Sequence, residues 1–147
     1  MKKALFILSF FLFQLPGIAQ PRAINGKIQV TINEIRNNKG RILCSIFREG
    51  EGYPDQPAKA YYRMALPIKN GTAMQVVESV PPGRYAIAVL HDENGDEKMN
   101  TNFIGLPKEG YGFSNNVMGL MGPPTFSKSS FTVVAGQQKT LPISMRY

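Results

Sequence analysis

No tryptophan, one cysteine and one histidine occur among the 147 residues. A lone cysteine cannot close an internal disulfide, so the fold must be held by packing and hydrogen bonds, and Cys44 reads as a small buried apolar residue. A lone imidazole excludes a metal centre built on paired histidines within one chain, and it leaves His91 as the sole histidine base for any catalytic relay. The net charge is +7, yet Lys and Arg are scattered, without a basic run or interleaved aromatics. That pattern argues for a solvated surface and against nucleic acid. Long amphipathic helical patterns, internal repeats and low-complexity tracts are absent. No second long apolar run follows the first, so no transmembrane segment is expected in the mature chain.

What the chain does have begins with Met1-Lys2-Lys3, a short basic start that leads into an apolar run up to Phe13, with small residues at Gly17 and Ala19. This is the pattern of a cleaved secretory signal peptide, residues 1–19, and it directs the protein to the periplasm or the extracellular space. Residues 20–147 are then expected to form a single β-sandwich domain, large enough for one core between two layers.

Apolar residues alternate through Ile28, Val30 and Ile32, through Tyr62, Met64, Leu66 and Ile68, and through Leu141, Ile143 and Met145. A period of two puts one face of an extended strand inward. The segment from Arg41 to Arg48 is apolar on both faces, which predicts a central strand or one whose outer face is covered. The segment from Arg84 to Leu90 turns Tyr85, Ile87 and Val89 one way and Ala86 and Ala88 the other, small enough for a loop or second layer to lie close. Three hairpins are expected: across Asn37 to Gly40, across Asn70-Gly71, and across Ala135 to Gln138. A two-residue loop at Asn70-Gly71 would set Met64 opposite Val77 and Arg63 opposite Glu78. Pro142 marks the last strand as an edge. The sum is an all-β fold, a two-sheet antiparallel sandwich of about seven strands with one long ordered loop.

Residues 91 to 116 are that loop. They follow neither period and are dense in Asp, Asn, Gly and aromatics. Asp92, Asn94 and Asp96 place oxygens on alternate residues, as the first half of an EF-hand-like Ca²⁺ loop does. The Lys98 carbonyl and Asn100 or Asn102 would extend the set, while Glu97 and Phe103 stand where such a loop uses Gly and Glu. The competing reading is an Asn94-Gly95 turn with solvated carboxylates. His91, Phe103, Tyr111, Phe113, Asn115 and Asn116 are the candidate ligand-binding surface, suited to a glycan or an envelope protein. The competing reading has the aromatics packed as the loop's own small core. No nucleophile elbow or oxyanion motif surrounds Ser114, so a noncatalytic binding or structural module acting through the loop and its continuation, residues 91–126, is expected, with Ca²⁺ as the candidate ordering ion. The alternative is a small hydrolase or metal-dependent enzyme using His91, Asp92 and Asp96.

The run Pro81-Pro82-Gly83-x-Tyr85-Ala86-Ile87-Ala88-Val89 into His91-Asp92-x-Asn94-Gly95, then Thr101-Asn102-Phe103-x-Gly105-x-Pro107-x-Glu109-Gly110-Tyr111-Gly112-Phe113-Ser114-Asn115-Asn116, resembles the exported bacterial family known as domain of unknown function 2141. The resemblance implies a secreted or periplasmic β-sandwich similar to prealbumin-like and immunoglobulin-like domains. It also implies Gly where this chain has Glu97 and Asp where it has Asn100. It brings no established activity.

Overall fold

In the computed structural model, which describes residues 24–120 and 122–147, the alternating segments are strands. The leader expected over residues 1–19 lies outside that range. The elements run β1 (Gly26–Asn33), β2 (Arg41–Arg48), β3 (Tyr62–Leu66), β4 (Ala73–Val80), β5 (Gly83–Asp92), β6 (Gly110–Phe113), a four-residue helix α1 (Phe126–Ser129), β7 (Phe131–Val133) and β8 (Gln138–Ser144). One sheet has the order β4-β1-β8; the other has β3-β2-β5-β6, with β7 paired to the start of β5. Ile28, Val30 and Ile32 of β1 meet Ile42, Cys44 and Ile46 of β2 and Tyr85, Ile87 and Val89 of β5 in the core between the sheets. Burying those alternate faces contributes roughly 25 cal/mol per Å² of apolar surface removed from water. Burial pushes the Cys44 thiol up to about 12, so it stays a neutral core group.

The two-sheet all-β sandwich is the expected fold, but the connections differ from the expected hairpins. β1 pairs with β4 and, in parallel, with β8. It does not pair with β2, whose partners are β3 and β5. β3 and β4 lie in different sheets, and so do β7 and β8. Each supposed hairpin is therefore an arch that carries the chain from one sheet to the other. The turn chemistry itself holds: Asn70 and Gly71 have φ of 51° and 70°, and Lys69 and Thr72 form the bridge that closes the turn. Turn residues fix a reversal of direction but not the edge a strand joins, and a few extended residues span the ~10 Å between packed sheets. Met64 accordingly faces Cys44 and Arg63 faces Ser45, not Val77 and Glu78. Val77 faces Ile28, and Glu78 pairs with Lys27 at 2.7 Å.

β2 is central, as its two apolar faces require, and β8 is an edge, as Pro142 requires. That edge is covered. The Asn116 amide donates to the Pro142 carbonyl at 3.2 Å, and its Oδ1 accepts from the Ser144 N–H at 2.8 Å, which occupies groups that would otherwise recruit a foreign strand. On the outer face of β2 and β5, Phe47 is fully buried beneath Tyr53. Tyr53 also meets Phe113 and Phe126 edge-on, with centroids 6.2 and 5.9 Å away. Ala86 and Ala88 leave the room for this second small core.

Candidate functional site

β5 hands the chain from the core to the loop through two residues that face opposite ways. His91 continues the inward row of Tyr85, Ile87 and Val89 and is fully buried. Its Nε2 lies 2.8 Å from the Lys39 carbonyl and its Nδ1 2.8 Å from the Tyr147 hydroxyl. A carbonyl only accepts, so Nε2 carries the proton and Nδ1 accepts from Tyr147, whose oxygen in turn accepts from the Arg36 N–H at 3.1 Å. Gly110 makes this possible, because a Cβ there would overlap the Tyr147 ring. Burial raises the Tyr147 phenol above its ordinary value. His91 thus joins three segments of chain and has no free nitrogen to offer a ligand.

Asp92 is buried on the opposite face. Its Oδ1 accepts from Gly95 N–H at 2.8 Å, and its Oδ2 accepts from Glu97 N–H and from Arg41 Nε, both at 3.4 Å. Turns of the same kind follow: Asn94 Oδ1 takes the Asp96 N–H at 3.0 Å, and Asp96 Oδ1 takes the Lys98 N–H at 2.9 Å. The Asn94 and Asn100 amides both donate to Asp96 Oδ2, at 3.1 and 2.9 Å. The Asn100 amide, the Lys98 N–H and the Asn94 amide together hold the Asp96 carboxyl below its usual range. Of the proposed Ca²⁺ ligands, Asn94, Asp96 and Asn100 come together, whereas both Asp92 oxygens and Asp96 Oδ1 are turned onto backbone N–H groups. Glu97, at the position of the expected Gly, has a φ of 60°, a conformation that costs a residue with a Cβ about 1–2 kcal/mol.

The residue that closes the loop is one that sequence reasoning assigned no role. Glu109 is buried, and its two oxygens accept from Glu93 N–H at 3.0 Å and Asn100 N–H at 3.1 Å. It clamps the first and second halves of the loop to one carboxylate. The available signal was an acid immediately before the Gly110-Tyr111-Gly112-Phe113 strand. Beside it, burial pushes the Glu93 carboxyl up, but the Asn37 amide at 3.1 Å and the Arg36 guanidinium at 2.5 Å more than offset that and leave it below its usual value. Arg36, Glu93, Asn100, Thr101 and Lys108 line an open polar cavity of about 440 Å³. His91 and Asp96 are not on its walls.

Beyond this base, residues 100–108 form a narrow two-stranded arm. Lys108 N–H bonds to the Asn100 carbonyl at 2.8 Å, Thr101 bridges Pro107, and Asn102 N–H bonds to the Leu106 carbonyl at 2.8 Å. At the turn, Gly105 N–H reaches the Asn102 carbonyl at 3.0 Å, and Asn102 Oδ1 accepts from Ile104 and Leu106 N–H at 3.0 and 2.9 Å. The apolar side chains point outward: Phe103 is 98 % exposed, Ile104 64 % and Leu106 56 %.

The remaining candidates are elsewhere and engaged. Phe113 is buried against Tyr53, and Tyr111 is half-buried beside it. Asn115 donates to the Lys128 and Ser130 carbonyls at 3.2 and 3.0 Å, and Asn116 covers β8. The expected surface of His91, Phe103, Tyr111, Phe113, Asn115 and Asn116 is therefore not one patch. Phe103 alone of its aromatics is solvent-facing, joined by Ile104 and Leu106, which composition gave no reason to single out. Among the described residues, no three His, Cys, Asp or Glu side chains form a group suited to a metal ion. Nor is any helix long and apolar enough to cross a membrane.

The family model described as uncharacterized protein conserved in bacteria (DUF2141) matches residues 30–141. No curated protein matches the chain, and no solved structure does.

Proposed function

The chain belongs to the domain of unknown function 2141 family, and from that premise we propose that it is an exported, noncatalytic binding module that presents the arm at residues 100–108 to a partner in the envelope. One observation carries the reading: three large apolar side chains stand in water on an arm whose base and turn are held by polar side chains. Leaving Phe103, Ile104 and Leu106 exposed forgoes about 1.5–3 kcal/mol for each that could be buried, while Asn102, Glu109 and Asp92 hold the backbone that keeps them out. An exposed apolar group on an ordered support is what a docking surface requires. The noncatalytic part is supported by His91, whose two nitrogens bond within the fold, and by Asp92, buried under backbone donors.

The test is retention on envelope fragments by co-sedimentation. Wild-type protein should pellet with the fragments, and a variant carrying Phe103→Ser, Ile104→Ser and Leu106→Ser should stay in the supernatant with an unchanged melting temperature. Equal sedimentation of the two would sink the reading.

A further inference from the structure

We propose that the partner of the arm is a lipid bilayer bearing anionic headgroups, with the turn at residues 102–106 entering the interfacial layer; the inference rests on the binding-module reading above. Three features favour lipid over a folded partner. The first is shape. The tip projects, and a few side chains on a convex turn fall far short of the roughly 800 Å² per partner of a specific protein interface. A bilayer needs no complementary groove.

The second is the state of the backbone. In hydrocarbon an unbonded N–H or C=O is costly. Here the N–H groups of Asn102, Ile104, Gly105 and Leu106 are bonded within the arm, Pro107 has none, and the Phe103 N–H is the one donor of the turn without a partner among the described residues. A tip made only to meet another protein's polar surface would gain from several free donors; this one keeps a single one.

The third is charge. Lys98 and Lys108 flank the arm at its neck, exposed, and neither has a carboxylate within ion-pair distance among the described residues. Lys39, Lys69 and Arg146, also exposed, lie in the β1–β2 loop, the β3–β4 turn and the chain end that border the same end of the sandwich. Of the carboxylates nearby, Glu97 pairs with Arg41 at 2.9 Å and Glu93 with Arg36, while Asp96, held by the Asn94 and Asn100 amides, keeps its charge beside Lys98, and Glu34 is exposed; the lysines and arginines of this end outnumber them. The apolar tip with lysines behind it puts alkyl and aromatic carbon at acyl depth and ammonium groups at the level of lipid phosphates.

The absence of tryptophan makes the experiment clean. Protein collected after export and carrying Phe103→Trp is titrated with vesicles of phosphatidylcholine alone and of phosphatidylcholine with phosphatidylglycerol. The expected result is a shift of the single tryptophan emission to shorter wavelength and quenching by brominated acyl chains, with the anionic vesicles only. Replacing both Lys98 and Lys108 by Gln should weaken binding roughly 30-fold, about 5-fold for each lysine. Adding Ile104→Ser and Leu106→Ser to the Phe103→Trp variant should abolish the shift while the melting temperature holds. Equal binding to both vesicle types overturns the anionic assignment. No binding to vesicles, with tip-dependent retention on envelope fragments intact, overturns lipid as the partner and leaves a protein or glycan. Loss of both removes the module reading as well.

Discussion

Two irregular segments of equal length lie on either side of β6, the first rich in acidic residues and the second without any, and they hold themselves in different ways. Residues 93–109 use carboxylates and amides to fix their backbone, and their large apolar side chains stand in water. The second segment, residues 114–130, turns Phe126 toward Tyr53, which itself covers Phe47, with Ser114 Oγ accepting the Ile87 N–H at 2.9 Å. Burial pushes the Tyr53 phenol up to about 12, and its hydroxyl donates to Ser129 Oγ at 2.7 Å. Where the second segment faces a sheet it has apolar surface to cover and packs Phe126, while Met118 and Leu120 in its middle stay exposed. The segment that overhangs the end of a strand has no such surface, and must hold itself by hydrogen bonds. Apolar residues in a loop are core or contact surface according to what lies beneath them.

The contrast can be broken most strongly on the packed side. Phe47→Ala removes a fully buried ring and should cost about 3–5 kcal/mol, read from the urea midpoint, while amide exchange at Asn102 and Leu106 keeps its rank. On the polar side, Glu109→Gln leaves a buried amide facing one of the two N–H donors and should cost about 1.5–3 kcal/mol. Its signature is faster amide exchange at Glu93 and Asn100; unchanged exchange there would mean that the clamp is not what orders the loop.

Acid should loosen the loop before the packed segment. Glu93 has a folded-state pKa below its ordinary value of 4.5, so its contribution is complete above the unfolded pKa and is lost as pH falls through the folded one. Stability measured downward from pH 5 should fall, and Glu93→Gln should flatten that fall. A wild-type profile level through this window would contradict the Arg36–Glu93 pairing.

Glu97→Gly should raise stability by up to about 1 kcal/mol, since relief of the left-handed backbone outweighs an exposed ion pair worth less than that. The smallest expected effect is that of millimolar Ca²⁺ on the melting temperature, no more than that of Mg²⁺. A calcium-specific rise would mean that the Asn94 and Asn100 amides rotate to turn oxygen toward a cation, making the loop a metal-ordered one.

Much of this architecture was legible in the sequence. Alternation located the strands, the doubly apolar β2 announced a covered outer face, Ala86 and Ala88 announced a close layer, and Asn70-Gly71 named its own turn. The site was less legible. His91 and Asp92 look like a functional pair in sequence, but adjacent strand residues face opposite ways, and each is consumed by a different part of the fold. Glu109 gave only its place before a strand as a sign, because the role of a buried acid is recognised by the two distant N–H groups it accepts from.

The sequence by itself determined where the chain is extended, where it reverses and which face of each strand is apolar, because backbone sterics and side-chain alternation act over a few residues. Tertiary structure decided the rest. It chose β4 and β8 as the neighbours of β1 instead of β2, and it sent Phe113 inward and Phe103 outward. Both choices depend on surfaces brought together from distant parts of the chain, and no local pattern specifies which surface a given face will meet.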